Sequence, residues 1–410
     1  MTRPASRSRP RPSGFTLVEL LVVLVIIAVL IALLVPAIMG AIRNARGAAV
    51  QAEINQMVQA LADFKSKMGD YPPSRIILNE SGNFPTGATA VPSPGYTDVT
   101  VGQLGQRTVT AFRKFWPRVA VSTSGPIGTF AQGTQFYDFN GDGAFQGNTS
   151  FVLMGPECLA FFLGGIPSVD LTGGRFIGMT GFGKNPTNPF SNNIASEPRF
   201  GRGGAPSVMY NANRNPSFFE FAGDRLVANS SSAGLNSGVG YFPGYLDSLG
   251  SSSAVPPQNF YAFFSTNLGI GYDPNDCNAL NPVESDTTLS TGNNPIALTF
   301  ASAQPVYAPP TAGATPGSAT QSPSPNPYTT SAPSGTTNIT YQNAQSFQII
   351  SGGNDGLYGV GGIYSPNSTN GVLPTEHGSG GTYPLSNSTD PSLRLMERDN
   401  LTNFHNGRLD

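Results

Sequence analysis

The chain has 410 residues, and only 11% of them are charged, against roughly a quarter in an ordinary soluble domain. Its 49 glycines and 36 prolines argue against a helical bundle, and 22 basic against 24 acidic residues argue against a nucleic-acid binder. Two histidines and two cysteines exclude a Cys/His zinc framework and a disulfide-dense scaffold. The composition is typical of a β-rich, loop-rich, weakly charged domain that works outside the cytoplasm.

The N-terminus begins with a short basic leader, residues 1–14, which contains four arginines and no acid. An apolar run over residues 15–38 follows, and Glu19 is its one charged residue. As a helix the run would be about 36 Å long, enough to cross a hydrocarbon core of about 30 Å. The arginines favour a cytoplasmic leader, so the chain after residue 40 is expected to face outward.

The helical pattern continues beyond the apolar run. Apolar residues recur at every third or fourth position from Ile42 to Met68, which predicts an amphipathic stripe. The helix should end near Gly69, because Pro72 and Pro73 follow. The sequence therefore predicts one helix over 15–68, with a transmembrane half at 15–38 and an amphipathic half at 39–69.

The start of this helix carries a specific motif, Gly14-Phe15-Thr16-Leu17-Val18-Glu19-Leu20, directly after the basic leader. It resembles the prepilin-type N-terminus of type IV pilins and type II secretion pseudopilins. The resemblance implies that a prepilin peptidase cleaves between Gly14 and Phe15 and methylates the new amine of Phe15. It also implies that Glu19 meets the Phe15 ammonium of a neighbouring subunit, since a carboxylate in an apolar span needs a cation. The alternative is a signal anchor with an isolated Glu19.

Residues 70–303 are expected to form an outward-facing globular region with a large insertion. Tyr71-Pro72 resembles the turn that follows the long helix in major pseudopilins. Residues 75–135 contain short β-like runs between turns, and an apolar helix is predicted over 156–163, before Gly164-Gly165. Strands or core segments are predicted at 218–221, 259–264 and 297–300. Residues 304–340, rich in Pro, Ser and Thr, are predicted to be a disordered insertion or linker.

Residues 341–410 contain a predicted strand at 346–350 and a possible calcium loop. The turn Ser351-Gly-Gly-Asn-Asp355-Gly and the later Asp399 resemble the C-terminal part of major pseudopilins, which binds calcium. The resemblance implies that Asp355 and Asp399 are side-chain ligands and that Ser351 offers its carbonyl. About 40 inserted residues separate the turn from Asp399, which leaves open whether the two pieces meet. The alternative is a hairpin turn without metal.

A second, weaker calcium candidate is Asp138-Phe-Asn140-Gly-Asp142-Gly. Oxygen-bearing side chains at alternate positions before a glycine match the first half of a calcium loop. The match ends at Thr149, where a bidentate glutamate is required. A turn in solvent is the alternative.

Cys158 and Cys277 allow a single intramolecular pairing. Outside the cytoplasm a disulfide is plausible, whereas Cys158, on an apolar helix, could instead be a packed thiol. The sequence holds no catalytic signature, and no enzymatic activity is expected.

The predicted fold is α+β: a long N-terminal helix packs on an antiparallel sheet, with large loop-rich insertions, as in pilins. The predicted function is a pseudopilin-like subunit of a type II secretion pseudopilus in the bacterial cytoplasmic membrane. Its expected partners are the prepilin peptidase, other pseudopilins and further copies of itself, the assembly platform and the assembly ATPase, with no nucleic acid. A minor type IV pilin with an adhesive head is the alternative, and an enzyme on a pilin anchor is a third reading.

Overall fold

The structure is a computed structural model of the whole chain. It describes residues 16–84, 92–93, 96–97, 101–122, 136–141, 145, 150–170, 175–190, 213–228, 242–251, 258–266, 272, 274–277, 285–286, 327–330, 340–354, 356, 358, 362–366, 373 and 397–409. The chain divides into two compact units, Met1–Arg46 and Gly47–Asp410. The second unit is called the head below.

The described part of the first unit is helical. Helix α1 spans Leu17–Met68 with Pro36 inside it, as the sequence predicts. The apolar side chains of its first half are all exposed, from 42% at Ile42 to 78% at Leu17. This helix is long and apolar enough to cross a membrane by length and composition. Because a helix satisfies its backbone hydrogen bonds internally, such a surface suits a hydrocarbon environment.

The head contains the remainder of α1, two further helices and small sheets, so the fold is α+β as predicted. Helix α2 spans Val101–Phe115 and helix α3 spans Gly155–Gly164. Short 3-10 turns lie at Gly223–Arg225 and Pro274–Cys277. The strands are β1 Ile76–Asn79, β2 Pro92–Ser93, β3 Tyr96–Thr97, β4 Ser150–Leu153, β5 Pro167–Asp170, β6 Arg175–Met179, β7 Leu226–Ala228, β8 Pro243–Ser251, β9 Gln258–Phe260, β10 Ala262–Ser265, β11 Ser285–Asp286, β12 Tyr328–Thr329, β13 Phe347–Ser351, β14 Gly362–Ile363 and β15 Leu401–Thr402.

Three of the sheets have three strands, in the orders β1-β4-β11, β7-β8-β9 and β10-β13-β15. Their strands pair antiparallel, with Ile76 opposite Leu153 in the first sheet and Ala262 opposite Ile350 in the third. The pairs β2-β3 and β5-β6 are also antiparallel, whereas β12 and β14 pair parallel. The predicted strands at 259–264 and 346–350 are confirmed by β9, β10 and β13.

Helix α3 lies at the centre of the head, and all ten of its residues are buried. Its first turn is capped by Glu157, whose carboxylate accepts the backbone N–H of Met154 at 3.2 Å. The helix ends where Gly165 takes a φ of 87° and donates its N–H to the carbonyl of Phe161. The predicted apolar helix over 156–163 is thus confirmed, one residue longer at each end.

Aromatic rings make up much of the core around α3. Phe64 of α1 contacts Phe115, Phe162 and Phe218 with ring centroids 5.1–5.9 Å apart. The buried stripe on the second half of α1 consists of Val50, Ile54, Met57, Ala60, Leu61 and Phe64. Edge-to-face packing of this kind lets a chain with few charged residues fill a core with large side chains.

The structure differs from the sequence-based expectations at two places before residue 300. Helix α2 lies within 75–135, where short β-like runs were predicted; Gly102, Gly105 and the β-branched Thr108 to Thr110 weaken its helical signal. The segment 218–221 is not a strand, although Phe219 and Phe221 are buried core residues. The prediction at 297–300 lies outside the described residues.

The predicted disordered insertion at 304–340 is wrong for residues 327–330. Tyr328 is 1% exposed and begins strand β12. The side-chain amide of Gln348 accepts the N–H of Tyr328 and donates to its carbonyl, both at 2.8 Å. Composition did not reveal this segment, because one aromatic residue and one distant glutamine anchor it to the core.

Candidate functional site

The N-terminal motif forms a capping box at the start of α1. The backbone N–H and the hydroxyl of Thr16 both donate to Oε2 of Glu19 at 2.8 Å, and the N–H of Glu19 donates to Oγ1 of Thr16 at 3.2 Å. A carboxylate at a helix N-terminus also interacts favourably with the helix dipole. Gly14 and Phe15 lie outside the described residues. This capping role was not predicted, although the Thr-x-x-Glu spacing of the sequence indicates it.

The predicted calcium turn and Asp399 lie side by side, although about 40 inserted residues separate them. Strands β13 and β15 pair with Ser351 opposite Leu401. Oδ2 of Asp399 accepts the N–H of Asn354 at 2.7 Å. Gly353 has a φ of 65°, and a Cβ there would lie 2.3 Å from the carbonyl oxygen of Asp399, so the approach requires glycine. Asp355, the other predicted side-chain ligand, lies outside the described residues.

Two further residues of this turn region were not found from the sequence. Asp247 of β8 is 1% exposed, and its carboxylate accepts a hydrogen bond from the Ser351 hydroxyl. Asn400 is fully buried and donates to the Tyr358 carbonyl at 3.0 Å. Its Oδ1 has no hydrogen-bond partner among the described residues. Nothing in the sequence indicates either contact, because both depend on strands that are distant in the chain.

The atoms around this turn that could coordinate a cation are oxygens, the ligand type that Ca²⁺ requires. In the described part of the chain, no group of three or more His, Cys, Asp and Glu side chains could hold a metal. A cation here would therefore need Asp399 together with carbonyl and amide oxygens and the Asp355 carboxylate.

The second calcium candidate is turned into the protein instead of toward solvent. Asp138 and Asn140 are 2% and 0% exposed, and Oδ1 of Asp138 accepts the N–H of Gly141 at 2.8 Å. Burial lowers the pKa of Arg214 to about 10, and the Asp138 carboxylate opposes that shift. Asp138 and Asn140 are thus not in a solvent turn, the alternative to a calcium loop, and the Arg214 guanidinium already supplies a positive charge near Asp138. Asp142 lies outside the described residues.

Cys158 and Cys277 are both buried, and this structure has the pair in its dithiol form. The thiol of Cys277 donates to the carbonyl of Phe263 at 3.0 Å. Burial, with the nearby carboxylates of Glu157 and Asp276, raises the pKa of the Cys158 thiol well above its usual value. For Cys277, burial is again the largest cause of a raised pKa, followed by Asp276.

The second half of α1 is bound to the rest of the head by a polar cluster centred on Glu53. Nη1 and Nη2 of Arg225 donate to its two carboxylate oxygens at 2.8 and 2.7 Å. The hydroxyls of Tyr245 and Tyr261 donate to the same carboxylate. The Arg225 guanidinium also lies 4.3 Å from the centre of the Tyr245 ring. We call Glu53, Arg225, Tyr245 and Tyr261 the Glu53 cluster.

The electrostatics of the Glu53 cluster follow from partial burial. Burial disfavours the charge on Arg225, but its hydrogen bonds to Glu53 raise its pKa above the usual value. The pKa of Tyr261 is raised by burial and then by the Glu53 carboxylate, and that of Tyr245 for the same reasons. This cluster was not predicted from the sequence, although an acidic residue between Val50 and Ile54 on the apolar stripe indicates a polar partner inside the head.

The comparisons with known proteins concern the N-terminus. A family model described as the prokaryotic N-terminal methylation motif matches residues 9–35. No curated protein and no solved structure matches the chain. The chain thus carries the prepilin-type motif, which implies processing by a prepilin peptidase and filament assembly in general. The single apolar helix is compatible with a single-pass membrane anchor.

Proposed function

We propose that the chain is a pseudopilin-like structural subunit of a type II secretion pseudopilus. Prepilin peptidase cleaves it between Gly14 and Phe15 and methylates Phe15, and the mature subunit enters a filament rooted in the cytoplasmic membrane. The observation that carries this proposal is the methylation motif at residues 9–35, set on a helix whose apolar side chains are exposed. The head faces the periplasm or the exterior, and the function is mechanical, without catalysis.

The exposed half of α1 suits both stages of this function. Its apolar surface suits lipid while the subunit waits, and the same surface suits neighbouring helices once the subunit is extracted. Glu19 tolerates the first environment because Thr16 donates two hydrogen bonds to Oε2. Oε1 accepts none from the described residues, so it is open to a cation. The Phe15 ammonium of a second copy supplies that cation in the filament.

The choice of a secretion pseudopilin over a pilin rests on the C-terminal half of the head. There, the strand, the glycine turn and the later Asp399, whose sequence resembles the C-terminal part of major pseudopilins, lie side by side. The assembly ATPase, the membrane platform and the other pseudopilins are the implied partners. A minor type IV pilin with an adhesive head is the second candidate, supported by the methylation motif alone.

Intact-mass analysis of protein extracted from membranes tests the processing step. The mature chain should begin at Phe15 and carry one methyl group, and Gly14→Val should leave the leader attached because the peptidase needs a small residue there. A mature N-terminus after residue 40 would contradict the proposal.

The assembly step is tested with Glu19→Ala expressed beside the wild-type chain. Membrane insertion should be intact or improved, since a carboxylate is removed from the span, but incorporation into filaments should fall at least tenfold. Equal incorporation of both chains would contradict the pairing of Glu19 with Phe15. Deleting the gene separates the two candidates: a pseudopilin mutant loses protein export, whereas a pilin mutant loses surface attachment.

We also propose that the turn at Ser351 to Asp355 with Asp399 binds calcium. In its support, Asp399 lies against the turn, and the buried Oδ1 of Asn400 lacks a donor among the described residues. Free Ca²⁺ should raise the melting temperature of the full-length processed protein by mass action. Asp355→Ala or Asp399→Asn should abolish the rise, and the exposed Asp224→Asn should keep it. An unchanged melting temperature on chelation would contradict the proposal.

A further inference from the structure

The two cysteines lie against the same turn of α3. Cys158 belongs to α3 and is fully buried, and Cys277 ends the 3-10 turn Pro274–Cys277 with 2% exposure. A Cβ at Gly155 would lie 2.2 Å from Sγ of Cys277, so this sulfur rests directly on the first turn of α3. Gly155 and Cys158 are one helical turn apart, a spacing at which Cβ positions are about 5–6 Å from each other. The two thiols are therefore within side-chain reach.

The surroundings of the pair are shared and closed to solvent. After burial itself, the carboxylates of Glu157 and Asp276 raise the pKa of both thiols, and the Cys277 thiol adds to the rise in the pKa of Cys158. Since a thiolate is the reactive form, these buried thiols react slowly with an oxidant once the head has folded. In contrast, both cysteines are accessible in the unfolded chain.

We infer that Cys158 and Cys277 are joined by a disulfide that forms while the head folds outside the cytoplasm, before α3 is covered. The structure describes the dithiol form of this pair. Each thiol loses a proton and the pair gives up two electrons as the sulfur–sulfur bond forms. The disulfide of a thiol–disulfide oxidoreductase accepts the electrons and becomes a dithiol. This inference rests on the outward orientation of the head in the proposed function.

The bond requires both side chains to rotate, Cys277 away from the Phe263 carbonyl and Cys158 away from its hydrogen bond with the Ile76 backbone. It would join α3 directly to the segment that carries Asp276, whose carboxylate accepts the Ser74 hydroxyl at 2.5 Å. Strands β5 to β10 lie between the two cysteines in the chain. A link across so long a loop restricts the unfolded chain strongly, so reduction should lower the melting temperature by roughly 5–15 °C.

The decisive experiment is intact-mass analysis of full-length protein extracted from membranes and denatured in N-ethylmaleimide. We expect no adduct without reductant and two adducts after reduction, and one adduct in each of Cys158→Ser and Cys277→Ser. Two adducts in the unreduced wild-type protein would overturn the inference. The same spectrum reports the N-terminus: a methylated Phe15 with two adducts rejects the disulfide and leaves the proposed function standing.

The order of events is tested on the reduced protein. Folded dithiol protein should resist oxidised glutathione at least tenfold longer than the same protein in denaturant, and both should end at the same disulfide. Equal rates of oxidation would overturn formation before burial. The variant Cys158→Ser/Cys277→Ser should lack the shift in melting temperature on reduction, which separates the bond from other effects of the reductant.

Discussion

The two halves of α1 are both apolar helix, but their side chains meet opposite environments. From Leu17 to Arg46 the apolar side chains are exposed on every side, whereas from Gly47 to Met68 one stripe is fully buried and the opposite face is polar. A helix that is apolar all round needs lipid or other subunits, and a helix with one stripe needs a partner in its own chain. Among the described residues, the apolar side chains of the first half are therefore uncovered, as suits lipid or neighbouring subunits.

The two halves also use a glutamate differently. Glu19 caps its own helix through Thr16, three residues away. Glu53 binds Arg225, Tyr245 and Tyr261, which are 172, 192 and 208 residues away in the chain. The first arrangement leaves the helix free to change its surroundings, and the second fastens it to one fold.

The largest effect is expected from removing the ring that joins α1 to the core. Phe64→Ala should lower the free energy of unfolding of the head by about 3–5 kcal/mol, because it deletes a fully buried ring and leaves a cavity. The matched control is Leu30→Ala, at a side chain 59% exposed, which should leave head stability unchanged. Denaturant unfolding of the processed protein in detergent measures both. The fluorescence of Trp116, the single tryptophan, reports unfolding of the head, because its ring centroid lies 4.9 Å from that of Phe190 in the folded state. Equal losses in the two variants would break the comparison.

A smaller loss is expected at the Glu53 cluster. Glu53→Gln keeps the shape but removes the charge that Arg225 faces in a site where their side chains are only 16% and 23% exposed. Head stability should fall by about 2–3 kcal/mol, since a partly buried cation loses its counter-ion. Glu19→Gln and the exposed Glu220→Gln should leave it unchanged in the same unfolding assay. A stable Glu53→Gln head would show that aromatic packing alone holds α1.

The smallest effect is an alkaline loss of head stability. Burial raises the pKa of Tyr245, Tyr261, Tyr272 and Tyr358 above the usual value near 10. Their contribution to head stability is complete below pH 10. It declines above pH 10, because these hydroxyls ionise in the unfolded chain at a lower pH than in the folded head. Each of these tyrosines can lower the free energy of unfolding by up to about 1.4 kcal/mol per pH unit. Arg214, with its pKa lowered to about 10, acts in the opposite direction over the same range, but the tyrosines with a raised pKa outnumber it.

Melting temperatures between pH 8 and 11, with tyrosinate absorbance as a second probe, measure this loss. Tyr261→Phe should reduce the alkaline slope by the share of one tyrosine. A flat profile up to pH 11 would contradict the burial of these hydroxyls. The first half of α1 contains no tyrosine, so association of the protein with detergent micelles should not change over this range.

Features built from consecutive residues were predictable. The end of α1 is confirmed at Met68, and Gly69 takes a φ of 91° before the two prolines. Helix α3 and strand β13 also lie where glycine, proline and apolar patterning predict them. Helix α2 was not predicted, because its glycines and β-branched residues give a weak local signal. Burial of its apolar side chains, among them Leu104 and Phe112, stabilises it in the folded head.

The leader motif, the exposed apolar helix, the residue at which it ends and the buried helix α3 could all be predicted from the sequence. Each depends only on neighbouring residues within a few turns of the same segment. The contact of Asp399 with the glycine turn and the place of Tyr328 in the core became visible only in the folded chain. Those contacts join residues tens of positions apart. Their existence depends on which strands pair and which polar groups lose water together, and no local pattern encodes that choice.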